Sequence, residues 1–242
     1  MPGPHERIIF AVDVDSSTRA FEWAALLQGE VGMLKVGLEL FVSEGPSVVH
    51  GLRQRGARVF LDLKLHDIPN TVRQSAQQAA RLGAELLTVH ASGGAAMVAA
   101  AVEGATQGAR EVRLPAPVVL AVTVLTSISD AELDAVGMRG PCEDAVLRLG
   151  KLAVNAGAQG LVCSPRETKL LRGEIGKAPL LVVPGIRPAS SDTHDQARAE
   201  TPAKAIADGA SLLVVGRPIR EAADPVARTR EIAAEIDRAL SA

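Results

Sequence analysis

Short apolar, β-branched runs recur along the chain, and segments with helical spacing separate them. The runs occupy residues 8–14, 33–37, 57–64, 85–90, 118–124, 160–164, 180–185 and 211–216. Each is nearly all apolar, which predicts strands buried on both faces, as in a parallel sheet. The intervening segments are rich in Ala, Leu, Arg and Glu, and the spacing predicts helices over 71–82 and 143–156, for example. Gly56, Gly83, Gly157 and Gly209 follow such segments shortly before the next run. Glycine just past a helix end supplies the left-handed conformation that closes it. Eight strands alternating with helices in about 240 residues predict the α/β class and a (β/α)8 TIM barrel, as one domain over residues 1–242. An open doubly wound sheet is the rival architecture. It is weakened for nucleotide binding because no Gly-x-Gly-x-x-Gly turn follows the first run. The polar stretch 188–195 has no periodicity and is the best candidate for a lid.

Polar residues stand where the apolar runs end. Asp13 closes the first run, Lys35 lies in the second, and Asp62 and Lys64 lie in the third with Asp67 just beyond. His90 ends the fourth, and Thr126 and Ser127 follow the fifth. In a (β/α)8 barrel these ends open on one face, where the active site is built. A single Asp after a strand usually caps a helix, and a single Lys in a strand is usually solvated. Two Lys and two Asp in or beside apolar strands are another matter, because charge there is costly unless paired. Side chains two apart on a strand share a face. With Leu61 and Leu63 outward, Asp62 and Lys64 therefore point together into the barrel mouth. At about 4 Å and an effective dielectric near 20, such a pair attracts by about 4 kcal/mol before desolvation. A protonated Lys held beside carboxylates can stabilise developing negative charge and then deliver a proton to a carbanion. Asp13, Asp62, Asp67 and His90 also admit a metal reading. The interleaved Lys35 and Lys64 already supply positive charge, so the expectation is no metal.

A second cluster closes the chain. The seventh run ends Pro184-Gly185-Ile186-Arg187 and the eighth ends Gly216-Arg217. Barrels often bind phosphate at these two strand ends, and arginine can grip it with two parallel hydrogen bonds. Composition then narrows the partners. Net charge is −2 and aromatics are 2%, with one Trp and no Tyr, so neither a basic nucleic-acid surface nor a base-stacking platform is expected. No stretch approaches the ~18 apolar residues that span a membrane. The polar start of the chain lacks a long apolar signal region, and Cys142 and Cys163 lack metal spacing. Free thiols in a soluble cytoplasmic protein are expected.

The segment Asp62-Leu63-Lys64-Leu65-His66-Asp67-Ile68-Pro69-Asn70-Thr71 resembles the signature of the orotidine 5′-phosphate decarboxylase family. Phe10-Ala11-Val12-Asp13, Leu34-Lys35-Val36-Gly37, Val89-His90-Ala91-Ser92-Gly93-Gly94, Val124-Leu125-Thr126-Ser127, Pro184-Gly185-Ile186-Arg187 and Val215-Gly216-Arg217-Pro218 follow that family's order across nearly the whole chain. The resemblance implies loss of CO2 from the pyrimidine C6 of orotidine 5′-phosphate, without a cofactor, to give uridine 5′-phosphate (UMP). It implies that Lys64 is the proton donor and that Asp62 lies against the substrate carboxylate. Asp13 and Lys35 match positions that hold the ribose and complete the charge network. Asp67, Ile68 and Thr71 match positions that reach the neighbouring subunit's site, which implies a homodimer with shared active sites. Thr126 and Ser127 match pyrimidine contacts, and Pro184 joins the substrate-binding set. Arg187 and Gln196 match closing-loop positions, and Gln196, Gly216 and Arg217 match the phosphate site.

Two departures are visible. Leu65 stands where many members carry Phe, which implies only a packing change. Ala197 stands where Lys is common, but Gln196 keeps its place relative to Arg198 and Thr201-Pro202. Two other readings remain at this stage. One is a Mg2+-dependent sugar-phosphate decarboxylase or aldolase of the same barrel superfamily, which shares Asp-x-Lys-x-x-Asp. The other is a non-catalytic phosphate-ligand-binding barrel.

Overall fold

A computed structural model of the chain describes residues 2–188 and 200–241. Among them, eight parallel strands close into one barrel in chain order. The strands are β1 (Ile8–Ala11), β2 (Met33–Val36), β3 (Val59–Leu65), β4 (Leu86–His90), β5 (Val118–Val122), β6 (Gly160–Val162), β7 (Leu180–Val183) and β8 (Leu212–Val215). Pairing of Phe10 with Val215 joins β1 to β8 and closes the ring. The open-sheet rival is excluded by this closure. The expected helices appear as Pro69–Arg81 and Cys142–Asn155, one or two residues from the sequence expectation. Gly56, Gly83, Gly157 and Gly209 all take positive φ, as helix-closing glycines should. No helix among the described residues is long and apolar enough to cross a membrane.

The core has two layers because the strand side chains alternate. Outward residues such as Phe10, Leu34, Leu61, Leu87, Val119 and Leu213 pack beneath the helices. Inward residues Ile9, Met33, Phe60, Leu86, Leu120 and Val182 fill the barrel. Every strand except β3 ends earlier than, or level with, its apolar run. The chain leaves the hydrogen-bonded ladder for the site loops while its side chains stay buried, as at Val12 and Val14.

Strand β3 departs from regular pairing around Asp62 and Lys64. Between the pairs Leu61–Leu87 and Leu65–Val89, β3 advances four residues while β4 advances two. Lys64 takes φ 51, in the left-handed region. That conformation costs a non-glycine residue roughly 1–2 kcal/mol. The strand-periodicity argument therefore gives the right faces, since Leu61 and Leu63 do pack outward, but not the backbone that carries them. Just beyond, Pro69 opens the helix Pro69–Arg81 at a first-turn position that needs no N–H. The neighbouring helix Ala95–Val112 lies close against it. A Cβ on Gly104 or Gly108 would run into the carbonyls of Arg73 and Gln77.

Candidate active site

Continuing each inward row by one step toward the C-terminal ends of the strands gives the floor of the site. On β2 the step goes from Met33 to Lys35, on β3 from Phe60 to Asp62, and on β4 from Leu86 to Thr88. Opposite, β5 offers Val122, β6 Val162 and β8 Val214. The mouth thus has a charged wall from the first half of the barrel and an apolar wall from the second. A cavity of ≈ 220 Å³ lies between them, lined by Lys35, Asp62 and Lys64 on one side and Val122, Val162 and Val214 on the other. Thr126 and Pro184 also line it.

The charges form an alternating row. Lys64 Nζ lies 2.8 Å from Asp62 Oδ1, and Lys35 Nζ lies 3.5 Å from Asp62 Oδ2. Lys35 Nζ also donates to Asp13 Oδ1 at 3.4 Å. Arg220 extends the row, with Nη1 donating to the Asp13 carbonyl at 3.2 Å and lying 3.7 Å from Oδ2. Side-chain exposure rises outward from Asp62 at 11% and Lys35 at 12% to Lys64 at 29% and Asp13 at 47%. The innermost pair is therefore the least screened by water. Gly37 makes room for it, since a Cβ there would stand 2.9 Å from Lys35 Nζ.

Burial opposes ionisation of Asp62, but the charges of Lys35 and Lys64 and hydrogen bonds from Lys64 and Thr88 outweigh it, so its pKa is lowered. Asp62 is a carboxylate at neutral pH. His90 is held below the ordinary histidine value, first by burial and then by the charges of His66 and Lys64 against the opposing pull of Asp62. Its ring lies 5.4 Å from that of His66. His90 is therefore neutral at pH 7. The two ammonium groups hold both oxygens of Asp62 where a cation would otherwise bind. Among the described residues no group of three His, Cys, Asp or Glu side chains could hold a metal ion. Cys163 is buried with its thiol pushed up to about 12, and Cys142 is half-buried; neither is in a disulfide. Cys163 therefore offers no activated thiolate.

A second cavity of ≈ 220 Å³ adjoins the first, and both are lined by Lys35, Pro184 and Val214. Asp13, Arg187, Gly216 and Arg217 line this second lobe. Arg187 is anchored by its backbone N–H to the Glu200 carbonyl at 3.0 Å. Its Nε is buried without a hydrogen-bond partner among the described residues. A buried guanidinium N–H in that state fits an anion that completes it.

The protein thus has two connected lobes, one with the alternating charges and one with arginines. A family model described as "Orotidine 5'-phosphate decarboxylase / HUMPS family" matches residues 6–232. The chain belongs to this family. A relative from Anaeromyxobacter dehalogenans, named orotidine 5′-phosphate decarboxylase, is 57% identical over 231 residues, covering 96% of this chain and 98% of the relative. One of the same name from Thermobifida fusca is 50% identical, over 98% of this chain and 97% of its own. The crystal structure of orotidine 5′-phosphate decarboxylase from Lactobacillus acidophilus superposes with a TM-score of 0.84. It is 41% identical, covering 95% of this chain and 98% of that one.

In this family member, the structure gathers Asp13, Lys35, Asp62 and Lys64 into one row and Pro184, Arg187, Gly216 and Arg217 around the second lobe. Asp67, Ile68 and Thr71 stand apart on the exposed rim at the start of the helix Pro69–Arg81. Asp67 Oδ1 accepts the Ile68 N–H at 2.6 Å. Asp67 therefore does not extend the Asp62–Lys64 pair within its own barrel as a sequence triad would suggest. Ser127 is exposed beside Thr126. Gln196, Ala197 and most of the expected lid lie outside the described residues. Sequence reasoning missed Thr88 and Arg220. Thr88 was hidden inside an apolar run, although period two puts it on the face of His90. Arg220 lies one helical turn past Arg217, a spacing that could have flagged it.

Proposed function

We infer that the chain converts orotidine 5′-phosphate into UMP and CO2, the decarboxylation that yields UMP in pyrimidine biosynthesis. The observation that carries the reading is the Lys35–Asp62–Lys64 row facing an apolar wall, with an arginine-lined lobe next door. The pyrimidine occupies the first lobe, with its carboxylate toward Asp62 and the apolar side and C6 toward Lys64. The C6–carboxylate bond breaks, CO2 leaves, and the electron pair stays on C6. Lys64 stabilises that pair and then gives C6 a proton, and solvent returns the proton to Lys64. Asp62 disfavours the bound carboxylate and holds the Lys64 ammonium in place. Asp13 and Lys35 hold the ribose between the lobes, and Thr126 and Ser127 contact the base. Arg187, Gln196, Gly216 and Arg217 take the phosphate. No cofactor has a role in these steps. The direct test is to incubate purified chain with orotidine 5′-phosphate, with and without chelator, and to follow UMP and CO2. Turnover that persists in chelator supports the reading. Turnover that stops there favours the Mg2+-dependent barrel chemistry.

Arg217→Ala tests the phosphate lobe. We expect it to lower kcat/KM for the nucleotide by roughly 10²-fold or more, because a charge-assisted contact worth about 3 kcal/mol is lost. A substrate nucleoside without phosphate should lose little. Equal damage to both substrates overturns the assignment.

The whole chain, residues 1–242, acts as one barrel domain in the cytoplasm and works as a homodimer. The exposed Asp67 carboxylate and the 66%-exposed Ile68 beside it support a shared site. Packing among the described residues leaves the large apolar Ile68 side chain in water, where a partner subunit could cover it. Lys64→Ala and Asp67→Ala should each be inactive alone. After mixing and subunit exchange, each hybrid dimer has one site with both native residues. Activity should return to roughly a quarter of wild type for random pairing. No recovery, with exchange verified, overturns the shared site.

A further inference from the structure

Thr88 lies in β4 and is fully buried. Its hydroxyl has two partners, both at the irregular part of β3. The Lys64 backbone N–H donates to Thr88 Oγ1 at 2.9 Å, and Thr88 Oγ1 donates to Asp62 Oδ1 at 2.9 Å. The directions follow from chemistry. A backbone N–H only donates, an ionised carboxylate only accepts, and a hydroxyl can do both. One side chain therefore ties the backbone of the proton donor to the carboxylate that orients it.

The tie sits where ordinary sheet pairing is lost. Between Leu61 and Leu65 the β3–β4 register shifts, so the ladder does not fix Lys64. Lys64 also holds the left-handed φ of 51. Such a conformation persists only when surrounding contacts over-determine it. The Lys64 Nζ contact to the same Asp62 oxygen, at 2.8 Å, closes a ring through Asp62, Thr88 and the Lys64 backbone. Opening that ring frees both the Lys64 backbone and the Asp62 carboxylate to rotate.

We propose that Thr88 is a positioning residue for the decarboxylation, its hydroxyl locking Asp62 and the Lys64 backbone so that the Lys64 ammonium meets C6 of the substrate. The proposal rests on the function inferred above. It acts through Lys64 and Asp62, since Thr88 is fully buried and lines neither lobe of the site. A displacement of order 1 Å at reacting groups costs about 10²-fold in rate. Thr88→Val keeps the branched shape and removes the hydroxyl, whereas Thr88→Ser keeps the hydroxyl and removes the methyl.

Wild-type turnover of orotidine 5′-phosphate first tests the underlying function. Given that turnover, Thr88→Val should lower kcat by roughly 10- to 100-fold, with KM and the dissociation constant of UMP within about threefold of wild type. Thr88→Ser should return kcat to within about threefold of wild type, although it leaves a small void. If Thr88→Val does not fold, Thr88→Ala takes its place against Thr88→Ser under the same expectations. Two results overturn the proposal. One is a folded hydroxyl-less variant whose kcat is unchanged, whatever its thermal stability. The other is Thr88→Ser falling as far as the hydroxyl-less variant, which would make the methyl packing the cause.

Discussion

Lys64→Ala is expected to lower turnover of orotidine 5′-phosphate by roughly 10⁴-fold or more, because proton donation and charge stabilisation are lost together. The protein should remain folded. Asp62 keeps Lys35 at 3.5 Å and the Thr88 hydroxyl at 2.9 Å, so its carboxylate is not stranded. UMP should bind within about tenfold of wild type, because the arginine lobe is untouched. The loss therefore falls on kcat. Lys64→Arg sharpens the test. It keeps a cation but cannot give up a proton near neutral pH, so it should stay at least about 10³-fold below wild type. Steady-state loss of substrate absorbance measures all three proteins. Near-normal turnover in Lys64→Ala would sink the mechanism. Recovery in Lys64→Arg alone would reduce Lys64 to an electrostatic role.

These expectations draw on parts of the molecule that were unequally legible in the sequence. The barrel was readable because each strand is buried on both faces, and uninterrupted apolar runs have few other uses. Asp13, Lys35, Asp62 and Lys64 were readable because charge inside such runs demands a reason. Period two even gave the correct faces on β3. The bulge and the positive φ at Lys64 were not readable. They arise from pairing with β4, a long-range event with no local marker comparable to a glycine. Thr88 escaped for a related reason. Threonine suits a strand, so nothing in the run 85–90 distinguishes a packed side chain from one that bonds two neighbours on β3. The apolar half of the mouth was also invisible. Val122, Val162 and Val214 look like every other strand residue until the closed barrel sets them opposite Lys35 and Asp62. The pull of Asp67 away from the pair came from the family resemblance, and its exposed rim position agrees with that separation.

Asp62→Asn is expected to damage both turnover and stability, with a dependence on pH that identifies the cause. The amide preserves shape and can still accept from the Thr88 hydroxyl. What disappears is the one anion shared by Lys35 and Lys64. At 2.8 and 3.5 Å and an effective dielectric near 20, the two contacts are worth about 6 and about 5 kcal/mol before desolvation. Breaking a buried pair by removing one partner costs about 3–5 kcal/mol. The lower end, about 3 kcal/mol, is expected here because Lys64 remains 29% exposed and water screens part of its charge. Turnover should fall by roughly 10³-fold, since the ammonium loses the carboxylate that aims it. The pH sign follows from linkage. Folded Asp62 holds its proton more weakly than an ordinary aspartate, which titrates at 3.8, so the unfolded chain takes up the proton first as pH falls. Its stabilisation is present in full above the unfolded value and drains away as pH drops through the lowered folded value. The wild type should therefore exceed Asp62→Asn in denaturant midpoint at pH 7, and the gap should narrow as pH falls below 3.8. Midpoints that stay parallel across that range would mean that the lost stability came from packing, and that the charge row contributes nothing to holding the mouth of the barrel together.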